Sequence, residues 1–223
     1  MERETDHGDQ TSGRSDDVAK AAVRALAEGR VGTRKDAVER AIHETGADPR
    51  ARRPTLAELR AHARLHEEST QGEQGRRARI EAATEELLEV LAVLERAVLV
   101  HDPEGSARPQ PAAYGRAALA QFDLDPTTHV RVTTSASAAV LAQALFEAGF
   151  SDPTCGSKAT RYGRIDEIAF EGAEAMHRVL RIPPGMAVDP ARDVIHGRPI
   201  EHATFDQLAA RRADARRTET RKE

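Results

Sequence analysis

Gly115-Arg116-Ala117-Ala118-Leu119-Ala120-Gln121-Phe122-Asp123-Leu124-Asp125-Pro126-Thr127-Thr128-His129-Val130-Arg131-Val132-Thr133-Thr134, continued to Phe150 by an alanine- and leucine-rich segment, is the stretch on which the fold turns. From Thr128 to Thr134, Val130 and Val132 alternate with His129 and Arg131, the period-two pattern of a strand with one wet face. Ser135 to Gly149 carries Val140, Leu141, Ala144, Leu145 and Phe146 at helical spacing, and Gly149 stops it. Ala112 to Phe122 fits two descriptions: a helix throughout, or a strand that turns at Gly115.

Downstream, Ala159–Tyr162 and Ile165–Phe170 read as strands joined by Gly163-Arg164, with Cys155 in the loop before Gly156. Ala175–Ile182 is a further strand closed by Pro183-Pro184-Gly185. A loop over 193–199 leads to a polar helix from Thr204 to about Arg212. Immediately upstream, Val98-Leu99-Val100 reads as a short strand ended by the turn His101-Asp102-Pro103-Glu104-Gly105.

The first half is helical throughout. Residues 1–14 are polar and predict a disordered tail. Ser15 reads as an N-cap, followed by Asp16 and Asp17 at the positive end of a helix dipole, with Gly29 as the stop. A second helix opens with Thr33 and Asp36 in a capping-box variant and closes at Gly46. Thr55 and Glu58 form the next capping box after Pro54, starting a helix with Leu56, Leu59 and Leu65. That helix breaks near Gln71-Gly72 and Gly75, and a longer one runs from Arg76 to about Ala97. Ile80, Leu87, Leu91, Leu94 and Val98, spaced seven, four, three and four, make its apolar stripe, a surface for self-association or a protein partner. Arg76, Arg77, Arg79, Glu81, Glu85 and Glu89 make the opposite, charged face.

Composition narrows the function classes. The 223 residues carry a net charge of −4, so no basic surplus indicates a dedicated nucleic-acid binder. Cys155 is the single cysteine, which excludes an intrachain disulfide and a cysteine-rich metal site. No window approaches the roughly 18–20 apolar residues of a membrane span, and the polar N-terminus is no signal peptide. A soluble, cytoplasmic protein is expected.

The order of strand, glycine turn, strand, helix ending Gly-Phe and hairpin resembles minimal members of the nucleotidyltransferase fold, over residues 97–182. In that family a Gly-Ser at a helix start cradles phosphate, and an Asp-x-Asp strand with a third acid holds Mg²⁺. Here Gly115-Arg116-Ala117 stands in place of Gly-Ser, His129-Val130-Arg131 in place of Asp-x-Asp, and Asp166 in place of the third acid. Histidine and arginine cannot supply hard oxygen ligands to Mg²⁺. The resemblance therefore implies a degenerate scaffold with no cofactor, in which Gly115, Arg116, His129 and Arg131 bind an anion such as a nucleotide phosphate or an RNA backbone. An active Mg²⁺-dependent enzyme using Asp123, Asp125 and Asp166 is the alternative.

Other motifs offer competing readings. Residues 15–46 invite a helix-turn-helix reading as a DNA-binding regulator, although Arg34, Lys35 and Arg40 are mixed with Asp36, Glu39 and Glu44. His62 and His66 stand four apart, the spacing of a shared metal, without the glutamate that the zinc-protease pattern adds. Arg60, five residues and His66 also resemble the active-site pattern of small helical ribonucleases. Gly156-Ser157 is a second Gly-Ser candidate, but Asp166 and Glu167 are adjacent and point to opposite faces of a strand. Together these readings predict an α+β protein: helical residues 15–97 packed on a small mixed sheet with flanking helices over 98–212, then a solvated tail over 213–223. It is expected to be a regulatory or interaction protein, not an enzyme.

Overall fold

The computed structural model describes residues 8–31, 33–50, 52–101, 110–122 and 127–220. The elements are α1 (Gly8–Ala27), α2 (Arg34–Thr45), α3 (Leu56–His101), β1 (Ala112–Tyr114), a 3₁₀ turn (Ala117–Leu119), β2 (Thr127–Thr133), α4 (Ala138–Glu147), β3 (Ser151–Thr160), β4 (Gly163–Glu171), β5 (Met176–Ile182), β6 (His202–Thr204) and α5 (Phe205–Thr220). This is an α+β protein, as the sequence pattern predicts. It divides into two compact units, Met1–Arg77 and Ala78–Glu223.

In the first unit α1 starts at Gly8, so Ser15 is not a cap; it lies inside the helix with its side chain 4% exposed. Val18, Ala22 and Val23 of α1 and Ala37, Val38 and Ala41 of α2 are buried. Thr33 caps α2 by accepting the Asp36 N–H at 3.2 Å, and Gly46 ends it in the left-handed region at φ 63°. The capping box at α3 forms as expected. The Thr55 N–H donates to Glu58 Oε2 at 2.7 Å, and the Glu58 N–H donates to Thr55 Oγ1 at 3.2 Å. Gly72 interrupts α3 with φ 70° and ψ 171°, a conformation open to glycine, at the position where the sequence predicts a break.

The second unit holds a six-stranded mixed sheet in the order β3-β4-β5-β2-β1-β6. β2 and β5 run parallel, and the other neighbours are antiparallel. From β2 the chain passes through α4, whose N-cap Ser137 accepts the Val140 N–H at 3.3 Å, then folds the β3–β4 hairpin before β5 returns beside β2. Val98-Leu99-Val100 is not a strand. It continues α3 to His101, leaving Leu99 60% and Val100 74% exposed; the turn predicted after it falls mostly outside the described residues. Cys155 lies within β3, not in a loop, because that strand begins at Ser151. β6 and the extension of α5 to Thr220 were missed by the sequence reading, the latter because the polar segment after Arg212 carries no apolar stripe.

The apolar stripe of α3 is spent inside this unit. Leu87, Leu91 and Leu94 are fully buried, and Ile80 packs at the margin, against Val130 and Val132 of β2, Ile168 and Phe170 of β4, Val179 of β5 and Leu141 and Leu145 of α4. It is therefore not a surface for self-association: the hydrophobic face that seemed to need a partner has the sheet. On the sheet's other face a smaller cluster joins Ile165, Leu180 and Ile182 to Val194, Met186 and Val188, so the segment after β5 covers part of that face. Asp193 secures this cover, its carboxylate accepting N–H groups of Ile195 at 2.7 Å, His196 at 2.8 Å and Arg198 at 3.2 Å. No described helix is long and apolar enough to cross a membrane.

Candidate functional site

Alternation along β2 sends its side chains to two very different surroundings. Thr128, Val130 and Val132 face the helices and are at most 1% exposed. His129, Arg131 and Thr133 face the other way. Cross-strand register extends the row through His129: Arg178 stands beside it on β5, Ala169 beyond on β4, and Tyr114 and His202 on β1 and β6. Small side chains (Ala169, with Gly156 and Thr154 on β3) keep this part of the sheet low, while the 183–201 segment covers the neighbouring rows.

The four positions proposed for anion binding separate here. His129 is exposed on the open face. Arg131 is not on a wet face; it is 7% exposed, its Nη1 donates to the Arg192 carbonyl at 2.8 Å, and its guanidinium lies 3.7 Å from the Tyr114 ring centroid. A cation so engaged has little left to offer a ligand. Gly115 adopts φ 68°, but its N–H donates to the Glu201 carbonyl at 2.8 Å and is not turned to solvent. Arg116 begins the short 3₁₀ turn, its carbonyl accepting from Leu119 and Gln121. Asp123 and Asp125 lie outside the described residues.

Around His129 the structure gathers groups the sequence reading left out. Glu167 accepts from Lys158 Nζ at 3.3 Å and lies 3.3 Å from Arg178 Nη1, so one carboxylate is shared by two cations. The His129 pKa is lowered, first by partial loss of solvent between its neighbours, then by the positive charges of Lys158 and Arg178; Glu167 opposes this. Asp166 points to the opposite face, where it pairs with Arg181 Nη1 at 3.0 Å, while Arg181 Nε donates to the Ala136 carbonyl at 2.7 Å. Asp166 and His129 thus belong to different sides of the sheet.

Beneath the open face lies a buried polar chain. Glu86 of α3 meets His177 Nε2 at 2.7 Å through Oε1, and His177 Nδ1 is 2.7 Å from Thr128 Oγ1. Glu86 also accepts the N–H groups of Glu174 at 3.0 Å and Ala175 at 3.1 Å. Order and spacing resemble a hydroxyl–imidazole–carboxylate relay, yet Thr128 and His177 are both 0% exposed, so no substrate reaches the hydroxyl. Its effect is structural: it ties α3 to the β4–β5 turn. Beside Glu86 opens a cavity of about 550 Å³ lined by Glu85, Glu89, Glu171 and Glu174 among others. A sequence signal existed for this chain. Glu86 stands three after Ala83 and four before Val90, a carboxylate on the apolar side of α3.

In the helical unit, His62 Nε2 is 2.6 Å from Asp16 Oδ1, and Lys20 is 2.6 Å from Asp16 Oδ2. His62, which stands at the spacing of a shared metal with His66, is therefore engaged by a carboxylate of α1. Among the described residues no three His, Cys, Asp or Glu side chains converge as metal ligands. Cys155 is exposed on β3. Compared with family models, curated proteins and solved structures, the chain matches none.

Proposed function

We propose that this is a non-catalytic regulatory or interaction protein whose sheet-bearing unit recognises an anion on the open face of the sheet, at His129 with Arg178 and Lys158. One observation carries the proposal: an exposed imidazole stands in register with Arg178, in a patch where two cations share a single carboxylate. Arginine supplies directional donors, lysine a point charge, and imidazole a third donor, a combination suited to oxyanion oxygens. The scaffold is proposed as a degenerate nucleotidyltransferase-like one, with His129 and Arg131 at the two acid positions, working in the cytoplasm.

The test is an NMR titration that follows the His129 ring while sulfate is added at constant ionic strength. Saturable shifts, weakened about tenfold by Arg178→Gln or Lys158→Gln, are expected, that loss equalling one charge-assisted contact. Linear, unsaturated shifts up to high millimolar concentration would refute it. Incubation with labelled nucleoside triphosphate, Mg²⁺ and RNA tests the absence of catalysis: transfer of label that Asp166→Ala abolishes would show an enzyme.

A further inference from the structure

Within the sheet-bearing unit, α3 and α5 face each other across a ladder of charges. Glu81 and Glu85 stand one turn apart on α3, and Arg212 and Arg216 one turn apart on α5. Arg212 Nη2 lies 2.9 Å from Glu85 Oε2 and 3.5 Å from Glu81 Oε1, and Arg216 also donates to Glu81. The pairing runs antiparallel, since a step of one turn up α5 is a step of one turn down α3. Arg212 is largely covered, whereas the other three side chains are at least 43% exposed.

α5 is held in two different ways along its length. Near its start Leu208 is fully buried, with Phe205 and Ala209 packed beside it on the core. From Ala210 to Arg217 no residue is buried. Arg211, whose Nη1 donates to the Ala118 carbonyl, marks the boundary between the halves. Helical turns that bury little open at small cost, and exposed ion pairs hold them with a strength that salt reduces. We infer that the second half of α5 is an electrostatic strap: residues 212–220 close on Glu81 and Glu85 at low ionic strength and leave them when salt screens the ladder, while the rest of the unit stays folded. Closed, the strap neutralises both glutamates. Open, it bares them, and Glu85 already lines the cavity together with Glu89, Glu171 and Glu174. One movement therefore extends an acidic face and frees a basic arm.

Amide hydrogen exchange of the full chain, followed by NMR at one pH, tests the strap. Between about 20 mM and about 500 mM NaCl the Debye length falls from roughly 20 Å to roughly 4 Å. Protection of the 212–217 amides, relative to an unstructured peptide in the same salt, is expected to fall about fivefold, the combined strength of two exposed ion pairs. The amides of Ala209 and Leu91 are expected to keep theirs. Glu81→Gln combined with Glu85→Gln is expected to show, already at low salt, the reduced protection of the parent at high salt, with no further loss as salt is added. Glu89→Gln, on the same helix but outside the ladder, is expected to match the parent. Protection at 212–217 that is indifferent to salt, whether high or absent, overturns the inference. So does a loss that spreads to Ala209 and Leu91, a double variant that keeps the salt response of the parent, or a Glu89→Gln variant that loses as much as the double one.

Discussion

Glu86 and His177, 91 residues apart in sequence, meet at 2.7 Å between a carboxylate oxygen and an imidazole nitrogen in the interior of the sheet-bearing unit. Two backbone N–H groups complete the carboxylate's partners, and Thr128 completes the imidazole's. Removing one member leaves the others buried and unpaired, which is costlier than the pair's net worth. Glu86→Ala is expected to cost about 3–5 kcal/mol of stability and the isosteric Glu86→Gln about 1–3 kcal/mol, read from urea denaturation midpoints. A Glu86→Ala protein as stable as the parent would contradict this arrangement.

Gly172 belongs to the same arrangement without touching the chemistry. A Cβ built there would lie 2.2 Å from Glu86 Oε1, inside any permitted contact. Gly172→Ala must push the carboxylate off the Glu174 and Ala175 N–H groups, and about 2 kcal/mol or more is expected to be lost. In a Glu86→Ala background the same substitution is expected to cost far less, a double-mutant cycle that isolates the clash.

Acid acts on this site with a definite sign. Burial lowers the His177 pKa, against the opposing pull of Glu86. The folded protein therefore holds fewer protons here than the unfolded chain, and stability rises with pH across the interval between the two values. The contribution is complete above about pH 6.5, the ordinary histidine value, and is lost as pH falls through the folded one. Denaturation midpoints measured from pH 8 down to 5 are expected to fall, more steeply than in His177→Gln. His129, shifted in the same direction, adds to the slope in both proteins.

The α3 stripe yields a prediction opposite to a dimer seam. Leu91 is fully buried against the sheet, so Leu91→Ala is expected to cost about 2–5 kcal/mol as a cavity substitution. The mass by light scattering is expected to be the same for parent and variant across concentration. A change in mass without loss of stability would return the stripe to an intermolecular role.

What was legible in the sequence follows from how local each cause is. Caps at Thr33 and Thr55, the stop at Gly46 and the break at Gly72 depend on a few neighbouring residues, and each appears where the sequence puts it. The period-two alternation of β2 correctly separated Val130 and Val132 from His129 and Arg131. It could not reveal that Arg131 is covered, because the Arg192 carbonyl that accepts from it is 61 residues away. Val98-Leu99-Val100 misled for a related reason: β-branched residues favour strands only weakly, and about seven preceding turns of helix after Gly72 carried them along. Lys158, Glu167 and Arg178 became a cluster only when the β3–β4–β5 register placed them on one face.

The outer rim of the sheet is β3, ten residues long and open along its far side. Asp152 sits at φ 30°, Pro153 brings no N–H, and the register shifts between Ser151 and Thr154, so an incoming strand loses step at one end and meets Lys158 near the other. The irregularity that makes this strand look poorly formed is of the kind that disfavours pairing between sheet edges. Straightening the rim with Pro153→Val and Lys158→Val would make each molecule a template for the next.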